Sequence, residues 1–253
     1  MEGSTVVIGG AQGIGEAVAR RLAIEPWAGP LVVADLNLER ATAVAEDLVK
    51  AGADARAMPV NLSETASIDE LVAATAGARR VAIVAGIFAA SSSLDATPEE
   101  FTRILGVNLI GTFYTAQRYA AHMVEAGDGS IVGIASIAAR MPRMRQAAYS
   151  ASKAGMRQAL RVLAMETVPR GVRINTVSPG PTDTPMMQTL ARDHRTVDDL
   201  AAGSPEAFRP RIPSGRVGRP ADIAAAVAFL LSPDAAHIAM QDLLVDGGES
   251  LGM

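Results

Sequence analysis

The sequence predicts an α/β fold: a single doubly wound domain in which a seven-stranded parallel sheet carries helices on both faces. Three observations predict it. Short β-branched runs alternate with helical stretches almost throughout, a glycine-rich turn follows the first run directly, and the 253 residues, 49% of them hydrophobic, suit one large core. No internal repeat, low-complexity tract or shift in composition marks a second domain, so residues 1–253 read as one unit.

The elements follow in order. Residues 4–8 are a short run rich in β-branched side chains and form the first strand; Gly9-Gly10-Ala11-Gln12-Gly13-Ile14-Gly15 turns the chain, and a helical pattern begins with Ala17, Val18 and Leu22. Residues 31–34 form the second strand, which Asp35 ends, and 39–50 an amphipathic helix stopped by Gly52. Strand 55–60, helix 68–76 and strand 81–85, closing at Gly86, continue the alternation. Thr97-Pro98 has the cap and first-turn proline of a helix start; this helix runs past Asn108 towards His122, with a break near Gly111. Strand 130–135, helix 147–168, strand 172–177, helix 221–231 and strand 243–245 complete the set. Ligands of such sheets bind beyond the carboxyl ends of the strands, where Gly9, Asp35, Gly86, Ser136 and Pro179 all fall. The polar, proline-bearing stretch 181–213 breaks the alternation just after the sixth strand and reads as a substrate lid.

Composition excludes several classes of function. The net charge of −4 and the lack of a basic run argue against nucleic acid or an anionic membrane as partner. With no cysteine there is no disulfide framework and no thiol or zinc-thiolate chemistry, and the histidines His122, His194 and His237 lack metal-ligand spacing. No apolar run reaches membrane-spanning length and the first strand starts within a few residues of Met1, so a cytoplasmic protein without a signal peptide is expected.

Two constellations carry chemistry. Tyr149 and Lys153 lie one helical turn apart on one face, and Ser136 precedes the tyrosine by thirteen residues. A free phenol has a pKa of about 10, and a nearby ammonium favours the phenolate, which makes such a tyrosine a usable base for an alcohol proton. At the N-terminus, a strand, a glycine turn and a helix form the context in which glycines let backbone N–H groups approach a pyrophosphate. Asp35, twenty residues after Gly15, can accept from both hydroxyls of an adenosine ribose and would repel a 2′-phosphate. Its neighbours Leu36 and Asn37 offer no cation, so NAD rather than NADP is expected.

Together these motifs resemble the short-chain dehydrogenase/reductase family, with its Rossmann-like fold, over essentially the whole chain. The family's glycine motif falls on Gly9, Gly13 and Gly15, its catalytic quartet on Asn108, Ser136, Tyr149 and Lys153, and its proline-glycine segment on Pro179-Gly180. The resemblance implies that Asn108 holds a water in a proton relay to Lys153 and that Thr184 meets the nicotinamide amide. It implies further cofactor contacts from Gln12, Ile14, Leu36, Asn61, Leu62, Ala85, Ile87 and Thr182, and a homotetramer built through the long helices and the last strand. Leu160, Leu163 and Ala164 are compatible with such an interface, although core packing explains them equally well. Departures are Ile8 for a threonine, Ile83-Val84 for an asparagine pair and Asn61 for an aspartate.

Within the family, segments 177–186, 203–206 and 237–243, with Pro142-Arg143, resemble the 2,3-dihydro-2,3-dihydroxybenzoate dehydrogenases of siderophore synthesis. Met144-Arg145-Gln146 and Phe88-Ala89 depart from them beside the expected pocket, which points to the 2-amino analogue, 2,3-dihydro-3-hydroxyanthranilate, and to secondary metabolism. The implied substrate contacts are Ser136, Tyr149, Gln146, Met187 and a carboxylate cation, Arg143 or alternatively Arg145. Rival readings are a 3-oxoacyl thioester reductase, with a sugar or polyol dehydrogenase beside it on the same fold, and an NAD sensor without turnover. The first usually takes NADPH; the second usually lacks the tyrosine or lysine.

Overall fold

The computed structural model describes residues 3–190 and 198–253. Its seven strands are β1 (Thr5–Ile8), β2 (Leu31–Asp35), β3 (Ala55–Pro59), β4 (Arg80–Ile83), β5 (Gly129–Ile134), β6 (Val172–Pro179) and β7 (Asp242–Val245). They pair in the order β3-β2-β1-β4-β5-β6-β7, every pair parallel. The order reverses between β1 and β4, and a crevice opens at the carboxyl ends of the strands there.

Alternation along the strands divides the core between the two faces. Val6 and Ile8 of β1 pack with Tyr119, Met123, Met156 and Leu160 on one side. Val7 packs with Val18, Leu22, Ile223 and Val227 on the other. The first set draws on α3 (Thr65–Ala74), α5 (Thr112–Ala126) and α6 (Ala147–Thr167), the second on α1 (Gly13–Leu22), α2 (Leu38–Lys50) and α8 (Pro220–Leu231). Leu160, Leu163 and Ala164 belong to the first cluster, so the packing within one subunit accounts for them.

Two departures from the sequence expectation shape the site. Strand β4 ends at Ile83 rather than at residue 85, because Val84 and Ala85 both turn their N–H groups to the Ile8 carbonyl, at 2.8 and 2.9 Å. The helix capped by Thr97, whose hydroxyl accepts from the Glu100 N–H at 3.2 Å, is α4 (Pro98–Leu105). A π-helical turn (Gly106–Gly111) then separates it from α5. The break expected near Gly111 is this turn. A Cβ on Gly111 would lie 2.0 Å from the Leu62 carbonyl oxygen, so only glycine permits the approach.

After β6, the described part of 181–213 contains α7 (Pro185–Leu190) and short 3₁₀ turns at Asp198–Ala202 and Pro205–Ala207. Leu200, Ala201, Ile212 and Val217 give it a small core of its own, with Met187 packed against it. Residues 191–197, with His194, lie outside the described residues.

Candidate active site

A cavity of about 850 Å³ opens at the switch point of the sheet. Every residue that the sequence assigned to a site lines it except Asn108, and it runs from the glycine turn past Tyr149 to Arg209.

The glycine turn is dictated by close approach. Gly9 has φ +82°, and a Cβ there would lie 2.5 Å from the Ala85 nitrogen; one on Gly15 would lie 1.8 Å from the Gly9 carbonyl oxygen. Helix α1 begins at Gly13 without a side-chain cap from Gln12, so its first N–H groups face the cavity with no acceptor from that residue. That cradle fits a pyrophosphate. Asp35, at the end of β2, accepts from the Ala11 N–H at 3.0 Å and the Asn37 N–H at 2.9 Å, which fixes its carboxylate beside the turn. The expectation that no cation stands nearby needs correction. Asn37 caps α2 by accepting from the Arg40 N–H, and this first helical turn carries the Arg40 guanidinium back to Gln12 Oε1 at 2.8 Å. Asn61, expected at the adenine, lines the cavity with its amide donating to Glu64 and accepting from Ser63.

Ser136 follows β5 and caps the 3₁₀ turn Ile137–Ala139, its hydroxyl accepting from the Ala138 N–H at 3.1 Å. The same hydroxyl is hydrogen-bonded to Tyr149, which sits in the first turn of α6. The Phe88 ring meets Tyr149 edge-on, with centroids 4.9 Å apart and planes at 63°. One turn along α6, Lys153 is buried and donates to the Ile134 carbonyl at 2.7 Å. Burial pushes this lysine down to about 8. The tyrosine departs from the sequence expectation of a lowered pKa. Burial of the phenol raises it, and the Ser136 hydrogen bond opposes that rise. Desolvating a phenolate outweighs the hydrogen bond, and Lys153 turns its ammonium to a backbone carbonyl.

The π-helical turn delivers Asn108, fully buried, behind the cavity wall. Its carboxamide accepts from the Ile87 N–H and donates to the Ile87 carbonyl, both at 2.8 Å, and donates to Ser152 Oγ at 3.1 Å. Asn108 therefore braces the loop after β4, over which Gly86 passes close to Lys153 Nζ.

At the far end, Arg143, Arg145, Gln146 and Met187 line the cavity, Arg145 in the left-handed region at φ +64°. The sequence left Arg143 waiting for a substrate carboxylate. One of its nitrogens, Nη2, donates to Glu249 Oε1 at 2.7 Å, and Arg209 donates to the same oxygen at 3.2 Å. Neither Arg209 nor Glu249 carries a motif; the pairing arises from the way the C-terminal turn tucks under the segment after β6. Phe88 was noted in the sequence only as a departure, yet it packs on the tyrosine. Among the described residues no cluster could hold a metal ion and no helix is long and apolar enough to cross a membrane.

A phosphate cradle, a ribose-level acid and a Ser-Tyr-Lys set in one cavity define a dinucleotide-dependent alcohol oxidoreductase. A family model described as Enoyl-(Acyl carrier protein) reductase matches residues 9–250. The 2,3-dihydro-2,3-dihydroxybenzoate dehydrogenase of Bacillus subtilis (strain 168) is 37% identical over 251 residues, covering 98% of this chain and 95% of that protein. The vibriobactin-specific 2,3-dihydro-2,3-dihydroxybenzoate dehydrogenase of Vibrio cholerae is 36% identical, covering 97% and 95%. A structure from Beutenbergia cavernae, provisionally assigned as an NAD(P) dependent gluconate 5-dehydrogenase with NADP bound at low occupancy, superposes with a TM-score of 0.90. It is 29% identical and covers 100% of this chain and 98% of that one. The chain belongs to the short-chain dehydrogenase/reductase family.

Proposed function

We propose that this protein oxidises the C3 ring alcohol of a trans-2,3-dihydro cyclohexadiene carboxylate, 2,3-dihydro-2,3-dihydroxybenzoate, with NAD as acceptor. The observation that carries the reading is the joining, in one cavity, of the hydrogen-bonded Ser136–Tyr149 pair to an end lined by arginines. Two relatives across nearly the whole chain bear the name of that activity, which favours the dihydroxy acid over the 2-amino acid expected from the sequence.

The chemistry follows from the residues. Ser136 holds the C3 oxygen while the Tyr149 phenolate takes its proton. NAD, when bound, supplies the acceptor for the C3 hydride at nicotinamide C4. The Ser136 hydrogen bond favours the phenolate, and Lys153, one turn away, is held at the Ile134 carbonyl beside the tyrosine ring. The C3 carbon becomes a ketone, and loss of a ring proton with protonation of the ketone oxygen gives the phenol; the gain of aromaticity drives the oxidation forward. Asp35 supports NAD, since its fixed carboxylate suits ribose hydroxyls and repels a 2′-phosphate. The segment 181–213 serves as the substrate lid, and the assembly is a homotetramer.

The 2-amino acid remains the second reading because Gln146, a donor and acceptor, lines the cavity near Tyr149. Absorbance at 340 nm with NAD and each acid decides between them. A higher kcat/KM for the dihydroxy acid is expected. A clear preference for the amino acid reverses the choice, and inertness towards both removes the assignment.

A further inference from the structure

Glu249 places a buried negative charge at the substrate end of the cavity. It lies in the turn after β7, is 0% exposed, and uses one oxygen, Oε1, to accept from Arg143 Nη2 and Arg209 Nε. Its other oxygen is buried with no partner among the described residues. Arg143 comes from the turn before α6 and Arg209 from the segment after β6, so one carboxylate joins three stretches far apart in sequence. Both arginine side chains are largely buried, at 10% and 19% exposure, and both residues line the cavity that holds Tyr149.

The charges do not balance. Two guanidiniums face one carboxylate, and each gives it a single hydrogen bond. The remaining donors, Nε and Nη1 of Arg143 and both Nη of Arg209, have no partner among the described residues. Buried like charges repel strongly in a low-dielectric site unless an anion lies between them. Guanidinium donors are arranged in a fork that matches a carboxylate. A second carboxylate on the cavity side would complete an alternating set of two cations and two anions.

We propose that Arg143 and Arg209 form a two-guanidinium clamp for the carboxylate of the substrate, and that Glu249 is the positioning residue that holds both. This rests on the carboxylate reading of the substrate above. It adds Arg209 as a specificity determinant, and one further negative charge balances the Arg143–Arg209–Glu249 set. Glu249 acts from behind the guanidiniums and does not touch the substrate.

The test is calorimetric titration of the NAD-loaded protein with 2,3-dihydroxybenzoate and with catechol, its carboxylate-free counterpart. Unmutated protein prefers the carboxylate. In Arg209→Gln that preference falls tenfold or more, and in Arg209→Lys, which keeps the charge and loses the fork, it falls less. An unchanged preference in Arg209→Gln overturns the clamp. Glu249→Gln separates positioning from charge: it keeps both guanidiniums and makes their surroundings more positive. Weaker carboxylate binding supports positioning, whereas equal or tighter binding overturns it. The clamp and the functional reading fail separately. Turnover of the dihydro acid with an unchanged Arg209→Gln preference overturns the clamp alone. Inertness towards the dihydro acids with a lost preference overturns the functional reading and leaves the clamp supported.

Discussion

Lys153 gives its ammonium to the Ile134 carbonyl at 2.7 Å while standing 5.9 Å from the centre of the Tyr149 ring. Ile134 ends β5, two residues before Ser136, so one strand terminus fixes the lysine and presents the serine. The tyrosine thus meets its two partners through a single rigid element. Burial drives the two ionisations apart, raising the phenol and lowering the ammonium to about 8.

Tyr149→Phe should abolish oxidation, with NAD binding nearly intact because the ring can still pack against Phe88. General-base catalysis contributes roughly 10²–10⁴-fold, and a loss of at least that size is expected. Ser136→Ala should move the acid limb of the kcat/KM profile to higher pH, since the Ser136 hydrogen bond lowers the Tyr149 pKa. A limb that moves to lower pH would sink the assignment of Tyr149 as base.

Stability should also report the buried lysine. Its pKa falls from 10.5 in the unfolded chain to about 8 in the fold, so between these values the unfolded state binds more protons than the native state. Native stability attributable to this group therefore rises with pH from 8 to 10, by on the order of 3 kcal/mol at most. Beyond pH 10 the raised pKa of Tyr149 acts the other way, because the native state then holds a proton that the unfolded state releases. Urea midpoints at pH 7.5 and 9.5 for unmutated protein and Lys153→Met check this. The gain should be present in the first and lost in the second; equal gains would refute a buried, desolvated lysine.

Much of the site was legible because its signals are local. A glycine turn between a strand and a helix needs only neighbouring residues, and the Tyr149/Lys153 pair needs only a helical period. The π-helical turn was legible only as a break near Gly111, since its cause is the Leu62 carbonyl 2.0 Å from an absent Cβ. Arg40 was missed because the expectation considered only residues adjacent to Asp35, whereas a helix capped at Asn37 folds its third residue back. The bond from Arg143 to Glu249 spans 106 residues and had no sequence signature. The direction of the Tyr149 shift was wrong in the sequence reading because desolvation is a collective property of the packed core, while spacing reveals only the charge next door.

Cofactor choice pits Asp35 against Arg40. The carboxylate is fixed by two backbone N–H groups and lines the cavity, while the guanidinium is exposed and held by Gln12. A fixed, half-buried charge outweighs an exposed one that water and salt screen. NAD should therefore give the higher kcat/KM; Asp35→Ala should narrow the preference, and Arg40→Ala should widen it by removing what hold remains on a 2′-phosphate. Steady-state rates with both dinucleotides measure this, and a preference for NADP in unmutated protein would overturn the reading of β2.

Assembly can be tested against the surface that the fold leaves uncovered. Because Leu160, Leu163 and Ala164 are used in the core, any contact through α6 must use the opposite side of the helix. That side carries Val162 at 43% and Met165 at 60% exposure, followed by Val168 at 39%. Near the C-terminus, Leu243 and Met253 are exposed as well. Apolar side chains grouped in this way favour burial against another subunit, and family membership leads us to expect four. Light scattering should give a mass near four times the 26.2 kDa of one chain. Met165→Asp should shift that mass downward, since a carboxylate buried in an apolar contact has no partner. A single-chain mass for the unmutated protein would exclude the tetramer, and an unchanged mass in Met165→Asp would place the contact elsewhere than α6.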